Sequence, residues 1–103
     1  MNLRFRLKES TISSIQKCFS KYRTINEVII YGSRAKGNHR NGSDIDLTIK
    51  GENFDFSDLL RLENEIDDLL LPYEFDISIF LKIDNRDLIN HIERVGQVFY
   101  KRE

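Results

Sequence analysis

The sequence predicts a small α/β or α+β domain in which one mixed β-sheet carries helices packed on it. Three observations predict it. Two short segments alternate strictly between acidic or polar and apolar residues, Asp44-Ile45-Asp46-Leu47-Thr48-Ile49 and Phe75-Asp76-Ile77-Ser78-Ile79-Phe80. That is the period-2 pattern of strands with one apolar face. A β-branched run, Glu27-Val28-Ile29-Ile30-Tyr31, ends on Gly32 and reads as a buried strand. Between these lie segments whose apolar residues recur at three and four, which is the helical period.

Taken in order, Ile12, Ile15, Phe19 and Tyr22 give one apolar face to a helix over about Glu9 to Tyr22. The strand ending at Tyr31 leads into a polar loop from Gly32 to Ser43, and the strand at Asp44–Ile49 follows it. Asp55 or Ser57 is placed to cap a second helix with the stripe Leu59, Leu62, Ile66, Leu69 and Leu70, which Pro72 follows. After the third strand, Asp84 is placed to cap a last helix carrying Leu88, Ile89, Ile92 and Val95, with Gly96 as its stop. Gln97–Tyr100 is expected to add a short strand.

The 103 residues fit a single domain, 1–103. A formal net charge of −1 argues against a molecule that grips nucleic acid with its whole surface. Arg4, Arg6 and Lys8 form a short basic arm that reads as a solvated terminus. No stretch approaches the roughly 20 apolar residues of a membrane span, and the first residues lack the apolar run of a signal peptide. The expected location is the cytoplasm. The lone Cys18 forbids an internal disulfide or a multi-cysteine zinc site and reads as a packing residue on the first helix. A metal site built from this chain must therefore use oxygen ligands, which suits magnesium, manganese or calcium rather than zinc.

Asp44 and Asp46 leave the same face of their strand, with Cα atoms roughly 6.5–7 Å apart. Asp76 repeats the pattern on the third strand. If the second and third strands are neighbours, the three carboxylates converge, and the fold tolerates that repulsion more readily with a cation between them. Their ligand type suits two magnesium ions about 3.5–4 Å apart. Upstream, Gly32 allows a close backbone approach, and Ser33 stands where a helical turn could present its leading N–H groups to phosphate. Arg34, Lys36, His39 and Arg40 bring positive charge to the same loop. The loop lacks a Walker A ending and the Gly-X-Gly-X-X-Gly fingerprint. His39 reads as a loop residue, and His91 as a surface or packing residue of the last helix.

Gly32-Ser33, ten residues, Asp44-Ile45-Asp46 and a later Asp76 in an alternating strand together resemble the active-site motif of DNA polymerase β-type nucleotidyltransferases. Gly-Ser-Arg-Ala-Lys-Gly followed by Ser-Asp-Ile-Asp-Leu is similar to the core of the minimal nucleotidyltransferases (MNT), small prokaryotic proteins often paired with a HEPN-domain partner as antitoxin and toxin. The resemblance implies a palm-like core and a metal-dependent transfer of a nucleoside monophosphate, AMP from ATP, to a hydroxyl. It implies Gly32 and Ser33 on the β- and γ-phosphates, with Arg34 and Lys36 as further nucleotide contacts. Asp44, Asp46 and Asp76 would be the catalytic and metal-binding residues for two magnesium ions, with manganese as a substitute. Asp76 would sit at the ion that binds the attacking hydroxyl.

A chain of 103 residues is expected to lack a second domain to hold an acceptor. The resemblance points to a tyrosine of a HEPN toxin, in a hetero-oligomer or with the chain as a homodimer. The competing readings are a non-catalytic nucleotide-binding subunit that neutralises its partner by contact, a small enzyme modifying a drug or metabolite, and a nucleic-acid-binding domain.

Overall fold

The computed structural model describes residues 4–37 and 44–103. Their elements are α1 (Glu9–Ser20), β1 (Glu27–Tyr31), α2 (Ser33–Lys36), β2 (Ile45–Lys50), α3 (Phe56–Asp67), β3 (Phe75–Ile79), a 3-10 turn at Phe80–Lys82, α4 (Arg86–Val95) and β4 (Gln97–Lys101). The strands form one mixed sheet in the order β3-β2-β1-β4. β1 is antiparallel to both of its neighbours, whereas β2 and β3 are parallel. A parallel pair needs a crossover connection, and α3 supplies it. The parallel pairing makes β2 and β3 neighbours and starts both at the same end of the sheet.

The sheet has two unlike faces. On one, Val28, Ile30, Leu47, Ile49 and Ile77 pack against Ile12, Ile15 and Phe19 of α1 and Leu59, Leu62 and Ile66 of α3. Cys18 is buried in this core, and burial pushes its thiol pKa up, as suits a packing residue. Tyr22 ties the two helices together, its hydroxyl donating to Glu65 Oε1 at 2.7 Å. The other face has a smaller cluster, in which Ile29 and Tyr31 meet Ile92 of α4, with Phe80, Leu88 and Val95 at the margin. Helices therefore cover both faces, and α4 lies on the face that carries Asp46 and Asp76. Among the described residues no helix is long and apolar enough to cross a membrane.

The local signals hold with small shifts. Asp55 caps α3 in a reciprocal capping box with Asp58. The cap of α4 is Asn85 and not Asp84: the Leu88 N–H donates to Asn85 Oδ1 at 3.2 Å. α1 ends at Ser20, two residues short of Tyr22. Leu70 falls outside the α3 stripe, because the helix has already ended at Asp67; Leu70 sits at φ 54° and is 88% exposed. Gly96 ends α4 at φ −66°, not in the left-handed region expected of a terminating glycine. It is small because a Cβ there would strike the Ile92 carbonyl and come within 2.6 Å of Ile29 Cγ2.

Candidate active site

Strand register assembles the acidic row. Asp46 on β2 is the partner of Tyr31 on β1 and of Asp76 on β3. Neighbouring strands lie about 4.8 Å apart, so the two carboxylates start side by side on one face. Asp44 immediately precedes β2 and is exposed, Asp46 is half-buried, and Asp76 is exposed on the edge strand. The Asp46 carboxyl pKa is raised, first by burial and then by the negative charge of Asp76 and Asp44. Asp44 and Asp76 thus both act electrostatically on Asp46. Among the described residues, no three acidic, histidine or cysteine side chains stand together as a ready-made metal cage. What the fold provides is a concentration of like charge from oxygen donors.

The loop after β1 is held against this row. Gly32 adopts φ 77° and ψ −155°, a combination essentially reserved for glycine. A Cβ at this position would collide with Asp46 Oδ2 and lie 3.3 Å from Asp46 Cγ. The missing side chain is what lets the loop backbone touch the carboxylate. α2 begins at once with half-buried Ser33 and ends at Gly37, which takes φ 81° and whose N–H donates to the Ser33 carbonyl at 2.9 Å. Gln97 Nε2 on β4 donates to the Ala35 carbonyl at 2.8 Å and fastens the turn to the sheet.

The basic residues of the loop do not share one fate. Arg34 is only 4% exposed; it donates to the Phe5 carbonyl at 2.9 Å and lies 5.1 Å from the centre of the Tyr73 ring. Burial lowers its pKa, with Tyr73 acting in the opposite sense. Arg34 is packed against the N-terminal segment and the chain leading into β3. Lys36 is exposed at the end of α2. His39 and Arg40 lie outside the described residues.

Four further side chains complete this corner without having been expected there. Tyr31 is buried beside Asp46, and its pKa is raised by burial first, with Asp76 and Asp46 adding to the effect and a hydrogen bond with Ser78 opposing it. The Ser78 hydroxyl donates to Thr48 Oγ1 at 2.9 Å, and Thr48 is fully buried. A chain of hydroxyls therefore runs one rung below the carboxylates and links β1, β2 and β3. His91 of α4 stands edge-on to Tyr31, with ring centres 6.2 Å apart. Thr48 and Ser78 had a signal in the sequence, since they alternate with Asp46 and Asp76. Tyr31 and His91 had none, because nothing local announces that α4 crosses this face.

A glycine-led turn pressed against an acidic row on the adjoining strands of a small mixed sheet defines the nucleotidyltransferase class of site. Residues 13–103 match the family model described as polymerase beta, nucleotidyltransferase, and the chain belongs to that family. No curated protein matches the sequence significantly. Among solved structures, a chain of a toxin–antitoxin complex with AMP-PNP is similar in fold, with a TM-score of 0.70 and 16% identity over 94% of this chain and 76% of that one. A chain of the MntA–HepT toxin–antitoxin complex gives a TM-score of 0.68 and 13% identity over 92% of this chain and 74% of that one. A third similar chain comes from a tri-AMPylated Shewanella oneidensis HEPN toxin in complex with its MNT antitoxin, with a TM-score of 0.67 and 14% identity over 91% and 72%.

Proposed function

We propose that this chain is an MNT-type nucleotidyltransferase that moves AMP from ATP onto a protein hydroxyl, a tyrosine of a HEPN-domain toxin, and so acts as an antitoxin. The observation that carries the reading is the contact of Gly32 with Asp46 in the same row as Asp76. It puts a loop suited to phosphate and a set of carboxylates suited to a hard cation in one corner. The antitoxin part rests on the family's resemblance and on the AMPylated toxin named for one neighbour in fold.

In this reading the backbone at Gly32 and Ser33 binds the β- and γ-phosphates, and exposed Lys36 adds positive charge. Asp44 and Asp46 are the oxygen donors for two magnesium ions, or manganese in their place, and Asp76 completes the set at the ion that would bind the acceptor. The raised pKa of Asp46 fits this role, because a cation would offset the burial, and then the repulsion from Asp76 and Asp44, that raise it. Bound metal would supply charge neutralisation on the triphosphate and help to activate the acceptor. Asp76, at the open edge, orients the acceptor hydroxyl and favours loss of its proton. The acceptor oxygen then bonds to the α-phosphorus as the bond to pyrophosphate breaks. Most of the rate comes from positioning and from charge stabilisation.

The test is incubation of the purified chain with α-phosphate-labelled ATP, magnesium and the protein encoded beside it. Label is expected on a tyrosine of that protein, dependent on magnesium and absent with Asp44→Asn plus Asp46→Asn. Neutralisation of the partner by the doubly substituted chain, without label, would replace this reading with that of a non-catalytic binding subunit.

A further inference from the structure

The outer edge of β3 has no strand beside it among the described residues. Along that edge runs a groove of about 470 Å³ between β3 and α3. Leu60, Phe75 and Ile77 are among its apolar lining, and Leu60 is 64% exposed. Its charged lining among the described residues is Glu63, Asp67 and Glu74, with no lysine or arginine. We propose that this groove and the free β3 edge bind an extended, basic segment of the acceptor protein as an added strand, which delivers its hydroxyl to Asp76.

The strand period makes the geometry specific. Phe75 and Ile77 point to the groove side of the sheet, and Asp76 between them points to the acidic row. A segment paired to β3 would lie about 4.8 Å outside it and alternate in the same way. Two of its side chains, i−1 and i+1, would enter the groove as apolar anchors. The side chain at i would emerge on the other face, beside exposed Asp76. A hydroxyl residue flanked by apolar neighbours is thus presented to the site by backbone pairing alone.

Charge selects the occupant. A second copy of this chain would bring Glu63, Asp67 and Glu74 against their own counterparts, and nucleic acid would bring phosphates to the same acids; both are disfavoured. Lysine or arginine at i−3 or i+3, on the same side as the anchors, matches the acidic lining. The proposal deepens the nucleotidyl-transfer reading and rests on it for what the docked segment is for. Docking itself is measured without transfer.

The probes are two fluorescent peptides, Lys-Ser-Leu-Tyr-Leu-Ser-Lys and Glu-Ser-Leu-Tyr-Leu-Ser-Glu, whose end charges at i−3 and i+3 share the groove side with the leucines, titrated with the full chain and followed by anisotropy. The basic peptide is expected to bind at least about tenfold tighter than the acidic one. Asp67→Lys plus Glu63→Lys, both on the outer side of α3, should reverse that preference and leave affinity for a non-hydrolysable ATP analogue unchanged. N-methylation of the backbone amides of the basic peptide should abolish its binding. Equal binding of the two peptides, no binding of either, or indifference to the α3 substitutions overturns the docking proposal whatever the transfer assay gives. Specific binding of the basic peptide without labelling of its tyrosine would leave the docking site standing and count against the transfer reading.

Discussion

Gly32→Ala isolates the contact on which the site depends. Two separate costs arise from one methyl group. The backbone at φ 77° and ψ −155° lies where a non-glycine residue costs about 1–3 kcal/mol. The new Cβ also meets Asp46 Oδ2, so either the loop or the carboxylate must move. For a chain of this size each kcal/mol is worth about 4–8 °C, so the melting temperature should fall by roughly 5–20 °C. Below that temperature the protein stays folded while Asp46 or the phosphate loop is displaced, and a shift of about 1 Å can cost about 100-fold in rate. The assay pairs a thermal melt with label transfer from ATP at a temperature where both proteins are folded. Gly37→Ala is the control: φ is 81° there, but a Cβ meets nothing within 4 Å, so about 1–2 kcal/mol is lost and transfer is retained. A Gly32→Ala protein that melts within about 2 °C of wild type and transfers label normally would refute the reasoning.

Asp46→Asn should abolish transfer yet raise the melting temperature at neutral pH. The folded state raises the Asp46 pKa above its unfolded value, so the folded state holds the proton more tightly and stability is lost as pH rises through that window. The substitution removes that loss, and melts at pH 7 and at pH 3 should converge for the two proteins on the acid side; unchanged stability at pH 7 would contradict this. Tyr31→Phe removes the hydroxyl that meets Ser78 and should cost about 0.5–1.5 kcal/mol in melts, with roughly tenfold slower transfer from the loosened acidic row. Leu62→Ala, in the fully buried core, should cost about 2–5 kcal/mol by urea unfolding. Leu60→Ala, two residues away on the opposite side of the helix and 64% exposed, should stay within about 0.5 kcal/mol.

The strands were legible because alternation is local: Asp44–Ile49 and Phe75–Phe80 announced both their faces and their acidic residues. The neighbouring of β2 and β3 was legible only as a condition. It is met because a helix between two strands permits the parallel crossover that brings Asp46 and Asp76 into register. What failed was what depends on the third dimension. Two adjacent Asx residues, Asp84 and Asn85, were equally able to cap α4, and backbone geometry chose the second. Leu70 kept the helical spacing after the helix itself had ended. The partners of Arg34 were not legible either: its guanidinium meets the carbonyl of Phe5 and the ring of Tyr73, residues far from it in sequence. The place of α4 over Tyr31 left no local trace, so His91 went unread as a neighbour of the site.

The central claim is that Asp44, Asp46 and Asp76 form a metal–nucleotide site with the Gly32 loop. Its most direct test is to count bound manganese by electron paramagnetic resonance, with a non-hydrolysable ATP analogue present. The wild-type chain should hold two manganese ions and Asp46→Asn plus Asp76→Asn none tightly, with both proteins folded. Equal manganese binding by the two proteins, or none by the wild type, would contradict the account.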